Sequence, residues 1–170
     1  QFVETMVLLT INHQSLIATK ANRIVRAAKG RTVMEFGTRR AHGVSAAVYG
    51  SRAAFIAGCD GTACTVTERD YGIKAMGTMA HSWVQMFDNE VMAFRRYAEI
   101  YPENCVLLVD TYDVLKSGVP AAIQVFREIK PQSMGIRIDS GDVTYLTKHA
   151  RKMLDDAGLS QCKIVVSNSL

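Results

Sequence analysis

Closely spaced cysteines are the first feature that this sequence lacks. It has four cysteines, without CxxC spacing and without an accompanying histidine pattern. A structural zinc site needs closely spaced Cys or His ligands, and a disulfide framework needs paired cysteines in an oxidising compartment. We therefore expect no zinc and no disulfides. The cysteines are interpreted as small core residues of a cytoplasmic protein, namely Cys59, Cys64, Cys105 and Cys162.

Long apolar runs and clustered charges are also missing. No apolar stretch approaches the roughly 20 residues of a membrane-spanning helix, and no signal peptide pattern is present, so no membrane association is predicted. The net charge is +4. Basic residues are scattered apart from three adjacent pairs, which argues against nucleic-acid binding. An anionic small-molecule substrate suits this charge, but so does a neutral one.

The 170 residues have the length of one ordinary domain. With 48% hydrophobic and 21% charged residues, the chain has enough apolar content for a real core. It begins within a helical pattern and stops directly after the strand-like stretch 163–166. We expect residues 1–170 to form a single partial α/β-barrel domain that is an internal fragment of a longer chain.

Strand-like and helix-like stretches alternate along the sequence. Strands are predicted at 32–36, 73–79, 105–109, 134–138 and 163–166, with a turn or very short strand at 58–62. Helices are predicted at 1–29, 44–57, 65–71, 83–101, 120–130 and 142–157. Alternation with short connections predicts right-handed crossovers and parallel strands. A doubly wound sheet and a (β/α) barrel both fit this pattern, and both bind ligands at the carboxyl ends of their strands.

The stretch 75–83 stands out because small residues end an apolar run just before His81 and a helix. A turn of small residues lets a ligand approach the backbone, and the start of a helix offers free N–H groups to an anion. His81 is therefore placed to bind a phosphate or to be phosphorylated itself. The alternative is a histidine that only packs against the helix or caps it.

Polar residues follow nearly every predicted strand. Because the carboxyl ends of parallel strands meet at one edge, we expect a convergent site, which indicates an enzyme. The candidate site residues are, in chain order, Phe36, Gly37, Thr38, Arg39, Arg40, Asp60, Thr78, His81, Asp110, Asp113, Arg137, Asp139, Ser140 and Gly141, with Ser167 and Asn168 after the last strand.

The cationic and aromatic candidates each have a chemical use and a structural alternative. Arg39, Arg40 and Arg137 can bind a carboxylate or phosphate through paired hydrogen bonds, or can form salt bridges. Phe36 can stack on an aromatic ring or belong to the core.

The acidic candidates lie where unpaired carboxylates are costly. Asp110 and Asp113 suit magnesium or ribose hydroxyls, with helix capping as the alternative. In the stretch 139–142 we interpret Asp139 as functional and Asp142 as a helix cap. His149 falls in the middle of a predicted helix and is interpreted as solvated.

Four segments of the sequence resemble nicotinate phosphoribosyltransferase of the bacterial type. They are 35–41 (EFGTRRA), 77–82 (GTMAHS), 109–113 (VDTYD) and 137–142 (RIDSGD). They occur in the order and at the spacing of the family, and the segments 3–5 and 16–21 resemble it too. The resemblance therefore covers essentially the whole chain.

The resemblance implies an activity. Nicotinate displaces pyrophosphate from phosphoribosyl pyrophosphate, giving nicotinate mononucleotide for NAD salvage. ATP hydrolysis is coupled through a phosphohistidine, which by position is His81. The resemblance also implies an irregular, incomplete-looking (β/α) barrel of the type II phosphoribosyltransferase kind, a homodimer, and Mg²⁺ with ATP and phosphoribosyl pyrophosphate.

The resemblance also implies residue roles. Phe36 stacks on the ring of the substrate, Arg39 and Arg137 lie near nicotinate and phosphate, and Asp139 contacts the ribose or the base. His81, Arg137 and Asp139 are the catalytic candidates. The glycine-rich loop for the 5′-phosphate is expected after Leu170, so this chain alone is expected to have little or no activity.

Other functions stay open at this stage. The sequence departs from the usual family pattern at 61–64, where a Ser and an Asn are replaced, and at 167–169, where an Asp is replaced. A relative that uses nicotinamide or quinolinate is one alternative, and a ligand-binding paralogue without catalysis is another. The second cation in Thr38-Arg39-Arg40 favours nicotinate, because it suits a carboxylate substrate.

Overall fold

The computed structural model describes residues 1–167. The chain divides into two compact units, Gln1–Gly77 and Thr78–Leu170. Each unit combines helices with a small parallel sheet. The prediction of a single partial barrel domain stays a prediction, and Asn168 and Ser169 lie outside the described residues.

The first unit is built on a long helix and a minimal sheet. Its elements are α1 (Phe2–Ala28), β1 (Met34–Glu35), a 3₁₀ turn (Thr38–Arg40), α2 (Val44–Ile56), β2 (Gly61–Thr62) and α3 (Thr65–Tyr71). Strands β1 and β2 pair in parallel, with Glu35 opposite Thr62. Ala21 of α1, Ala54 of α2 and Cys59 form a small buried core.

The predicted strand 73–79 is wrong. Its pairing is limited to one isolated parallel bridge between Thr62 and Ala75. The neighbouring strand β2 is only two residues long, so the segment 73–79 has little strand with which to pair. The predicted strand 32–36 is likewise reduced to two residues, whereas the stretch 58–62, predicted as a turn or very short strand, contains the two-residue β2.

The second unit contains a three-stranded parallel sheet in the order β3-β4-β5. Its elements are α4 (His81–Gln85), α5 (Glu90–Ile100), a 3₁₀ turn (Pro102–Asn104), β3 (Cys105–Leu108), a π-helical turn (Val114–Gly118), α6 (Val119–Ile129), β4 (Met134–Ile138), α7 (Val143–Asp156) and β5 (Lys163–Val166). The register pairs Leu107 with Ile136, and Ile136 with Ile164.

The core of the second unit explains why these segments form these elements. The apolar strand residues Leu107 and Ile136 are fully buried, as are Phe94 of α5, Phe126 of α6 and Leu154 of α7. Burial of each such side chain stabilises the fold by about 1.5–3 kcal/mol. Helical spacing on one face of α5, α6 and α7 thus packs them against the sheet, which holds the strand ends in place.

The predicted continuous helix 83–101 is also wrong. It is divided into α4 and α5, and Asn89 begins the second helix by accepting a 3.0 Å hydrogen bond from the Met92 N–H. The apolar spacing runs across this break, whereas Asp88 and Asn89 favour a turn over a helix interior. An Asn cap typically stabilises a helix by about 1 kcal/mol.

The fold class predicted from the sequence is confirmed: strands and helices alternate, and every pairing of strands within the described residues is parallel. Within residues 1–167 the strands do not close into a barrel. In the same part of the chain, no helix combines the length and apolar character needed to cross a bilayer.

Candidate active site

His81 lies at the first position of α4, beside two strand-end carboxylates of the second unit. Its Nε2 is 3.6 Å from Oδ2 of Asp139 and 3.9 Å from Oδ1 of Asp110. Its Nδ1 is 3.2 Å from the hydroxyl of Thr111. The imidazole side chain is 38% exposed, so a substrate can reach it while both ring nitrogens have fixed neighbours.

Asp110 follows β3 and is almost completely buried, with a side chain that is 1% exposed. Its Oδ2 accepts hydrogen bonds from the Ser140 hydroxyl at 2.6 Å and from the Asp139 N–H at 3.1 Å. Its Oδ1 is buried and has no hydrogen-bond partner in the described part of the chain. Because such an oxygen is costly to leave unpaired, it is suited to accept a ligand hydroxyl or a cation.

Among the described residues, three oxygen-bearing side chains hold Arg137 in β4. Its Nε donates to Ser167 and its Nη1 to Thr78, both at 2.7 Å, while Nη2 donates to Asp139 at 2.9 Å. The guanidinium is 11% exposed. A planar cation fixed in this way keeps one orientation, as recognition of a planar or anionic ligand requires.

The surroundings of Asp139 favour its ionised form. Burial opposes its ionisation, but the hydrogen bond from Ser167 and the charge of Arg137 outweigh this, so the pKa of Asp139 lies below its usual range. Its Oδ1 accepts hydrogen bonds from both Ser167 and Arg137, and its Oδ2 faces His81. The site thus combines a fixed anion and a fixed cation.

The loop after β4 supports this arrangement. Gly141 has a φ of +78°, a conformation that glycine adopts without strain. Asp142 accepts a 3.0 Å hydrogen bond from the Tyr145 N–H at the start of α7. The interpretation of Asp142 as a cap is therefore confirmed.

The candidates of the first unit follow its two strands. Phe36 and Thr38 are partly buried, while Arg39 and Arg40 of the 3₁₀ turn are exposed. Asp60 is exposed, and its Oδ2 accepts a 2.8 Å hydrogen bond from the Val33 N–H. The substrate-binding roles predicted for these residues stay predictions.

Asp113 lies after β3 but has a capping geometry. Its Oδ1 accepts hydrogen bonds from the N–H groups of Leu115 and Lys116, at 3.1 and 2.9 Å. The bond from Lys116 is the main cause of its lowered pKa. This is the structural alternative named for Asp113 above, and its substrate-binding role stays a prediction.

Sequence reasoning assigned no individual role to two contributors to the cluster, Thr111 and Ser167. Thr111 received no role, although its position directly after Asp110 at the strand end is a usable signal. Ser167 is recognisable in the sequence only as a strand-end residue, yet its hydroxyl donates to Asp139 and accepts from Arg137. Hydroxyls are common on any surface, so only the register of β5 against β4 reveals the role of Ser167.

Residues 17–167 match the family model described as quinolinate phosphoribosyl transferase, C-terminal domain. The chain belongs to this family. Among curated proteins, it is 47% identical to a nicotinate phosphoribosyltransferase of Bacillus subtilis, in a match that covers 100% of this chain and 35% of that protein. The chain therefore spans about a third of the length of that relative.

Two solved structures share the fold. A human nicotinic acid phosphoribosyltransferase matches with a TM-score of 0.83 at 26% identity, covering 99% of this chain and 45% of that one. A nicotinate-nucleotide pyrophosphorylase of Pyrococcus furiosus matches with a TM-score of 0.82 at 32% identity, covering 93% and 41%. These matches confirm the resemblance and the phosphoribosyltransferase-type fold predicted from the four motifs.

Proposed function

We propose that the protein is a nicotinate phosphoribosyltransferase that forms nicotinate mononucleotide and pyrophosphate from nicotinate and phosphoribosyl pyrophosphate, coupled to ATP hydrolysis and serving NAD salvage. The observation that carries this proposal is the cluster of His81, Asp110, Arg137 and Asp139 at the strand ends of the second unit. The relatives of this name and the family membership support it.

The surroundings of His81 suit it to accept a phosphoryl group from ATP. Two carboxylates face Nε2 and favour a proton there, which leaves the lone pair on Nδ1, towards Thr111. Attack of Nδ1 on the γ-phosphorus forms the N–P bond and breaks the bond to the β,γ-bridging oxygen, so ADP leaves. Water later attacks the phosphorus and breaks the N–P bond, so phosphate leaves, His81 is restored and the hydrolysis of ATP is complete.

The carboxylates suit the second half of the reaction. Loss of pyrophosphate from C1 of the ribose creates positive charge on the sugar, which nearby anions stabilise. Asp139 is held ionised, and the unpaired Oδ1 of Asp110 can accept a ribose hydroxyl. In the same step, the ring nitrogen of nicotinate bonds to C1 while the C1–O bond to pyrophosphate breaks.

Magnesium fits this set of residues as a partner of bound phosphates. In residues 1–167 no group of three or more His, Cys, Asp or Glu side chains forms a metal site. Mg²⁺ usually takes one or two carboxylates plus substrate phosphates, and the unpaired oxygen of Asp110 matches that need. When bound, Mg²⁺ neutralises charge on the leaving pyrophosphate.

The remaining parts of the proposal concern the substrate and the setting. Phe36, Arg39 and Arg40 bind the ring and the carboxylate of nicotinate, with Gly37, Thr38 and Asp60 beside them. The protein works as a homodimer. Its four free cysteines suit the reducing environment of the cytoplasm, where we place it. Nucleic acid and membranes are not among its partners.

A substrate competition tests the proposed function. The full-length protein is incubated with phosphoribosyl pyrophosphate, Mg²⁺, ATP and equal amounts of nicotinate, nicotinamide and quinolinate. Mass spectrometry should detect nicotinate mononucleotide as the main product, and its yield should fall when ATP is omitted. Preferential use of nicotinamide or quinolinate contradicts the proposal, and so does binding of phosphoribosyl pyrophosphate without any product.

The quinolinate alternative has one specific observation in its favour. The matching family is described by its quinolinate-using members. Quinolinate gives the same mononucleotide but also releases carbon dioxide. The competition therefore distinguishes the two when the consumption of each acid and the release of carbon dioxide are measured beside the mononucleotide.

A further inference from the structure

We propose that Glu35 is a positioning residue whose carboxylate fixes the turn 37–40, so that Arg39 and Arg40 are ready to bind the carboxylate of the substrate. This inference rests on the proposed function and names a residue to which that function assigns no role. All the contacts that carry it lie within the first unit.

Glu35 joins four segments through one carboxylate. Its Oε1 accepts a hydrogen bond from the N–H of Gly37, the residue that begins the turn. Its Oε2 accepts from the hydroxyl of Thr62 in β2 at 2.6 Å and from that of Ser51 in α2 at 3.0 Å. Strand β1, the turn, α2 and β2 are thus held by a single charged group.

The two hydroxyl donors are themselves fixed. Thr62 is 0% exposed and Ser51 is 2% exposed. The oxygen of Thr62 also accepts the N–H of Cys64 at 3.0 Å, and the one hydroxyl proton of Ser51 is shared between Glu35 and the carbonyl of Ala47, whose oxygen lies 2.8 Å away. Hydrogen bonds to a charged acceptor are stronger than neutral ones, so this network holds Glu35 in one conformation.

The Glu35 contact leaves little room beside Gly37. A Cβ on Gly37 would lie 2.7 Å from Oε1 of Glu35, so the carboxylate would have to move to make room for a side chain there. The rest of the turn is closed by backbone hydrogen bonds, from Arg40 N–H to the Gly37 carbonyl at 2.8 Å and from Ala41 N–H to the Thr38 carbonyl at 3.2 Å. Glu35 therefore acts on the first residue of the segment that carries both arginines.

Such a contact fixes the backbone of the turn that carries the two exposed arginines before the substrate binds. Arg39 and Arg40 are long, exposed side chains, and ordering them on binding costs conformational entropy. A backbone that is fixed beforehand lowers that cost and improves affinity. Loss of the Glu35 contacts should weaken nicotinate binding more than it slows the chemical step.

The test compares variants of the full-length protein. Thr62→Val removes one hydrogen bond to Glu35 at nearly constant shape, and Thr62→Ser keeps it. Glu35→Gln removes the charge, and Glu103→Gln is the control at an exposed glutamate. We expect Glu35→Gln and Thr62→Val to raise the KM for nicotinate about tenfold, with kcat and the KM for phosphoribosyl pyrophosphate within about twofold. Thr62→Ser and Glu103→Gln should stay near wild type.

A second readout does not need activity. Hydrogen–deuterium exchange should be faster in the peptide 36–41 of Glu35→Gln and Thr62→Val, and unchanged in the peptide 105–109. A fall in kcat equal to the rise in KM, or unchanged exchange at 36–41, overturns the inference. If the wild type does not use nicotinate, the proposed function fails, whereas exchange at 36–41 still decides whether Glu35 fixes the turn.

Discussion

Nη2 of Arg137 donates a 2.9 Å hydrogen bond to Oδ1 of Asp139, two residues further along the chain at the end of β4. Adjacent side chains in a strand point to opposite faces, while residues i and i+2 share one. A cation and an anion at this spacing therefore meet at the strand end. Ser167 of the neighbouring strand end donates to the same oxygen, so the pair is fixed from both sides.

Removal of the Ser167 hydroxyl should loosen this pair. Ser167→Ala deletes a hydrogen bond to each partner, Arg137 and Asp139. We expect the free energy of unfolding at pH 7 to fall by about 1–3 kcal/mol, as for other hydrogen bonds to charged groups. Urea unfolding measures this, with the exposed Ser160→Ala as the control. Equal stability of the two variants would contradict the account.

The lowered pKa of Asp139 predicts a pH dependence. A carboxyl group with a lower pKa in the folded state than in the unfolded state stabilises the fold above the unfolded pKa of about 3.9. That contribution is lost as the pH falls through the folded pKa. Asp139→Asn should therefore lower stability at pH 6–7, and the difference from wild type should shrink below about pH 4.

Urea unfolding between pH 3 and pH 7 checks this prediction. Asp156→Asn is the control, since Asp156 is exposed and has no ion pair within residues 1–167. A difference between wild type and Asp139→Asn that grows as the pH falls would mean that Asp139 is not held ionised by Arg137 and Ser167.

Much of the site was predictable, because its residues follow strands that the apolar runs reveal. His81, Asp110, Arg137 and Asp139 can all be named from their positions in sequence. Their contacts were not predictable, because the pairing of Arg137 with Thr78 joins residues that are 59 positions apart. The prediction of helix boundaries failed where a polar turn interrupts the regular spacing of apolar residues, as at Asn89.

The π-helical turn was also beyond the sequence. A Cβ added at Gly118 would clash with the backbone carbonyl of Val109, which makes glycine a requirement of this close approach. We expect Gly118→Ala to destabilise the protein by about 1–3 kcal/mol. Gly77→Ala is the matched control, because a Cβ there meets no atom within 4 Å. Thermal unfolding compares the two, and equal melting temperatures would contradict the close contact.

The start of α5 offers a test of the broken helix. Asn89→Ala removes the side chain that accepts the Met92 N–H and should cost about 1 kcal/mol. Asn89→Ser keeps a capping oxygen and should retain most of the stability. If both variants are as stable as wild type in urea unfolding, Asn89 does not act as a cap.

Phosphorylation of His81 tests the central claim most directly. The full-length protein is incubated with ATP carrying a radiolabelled γ-phosphate, beside His81→Ala and the exposed control His149→Ala. The account predicts an acid-labile, base-stable label in wild type and His149→Ala and none in His81→Ala. A wild-type protein that forms product without ATP and takes up no label, or a label that persists in His81→Ala, would contradict it.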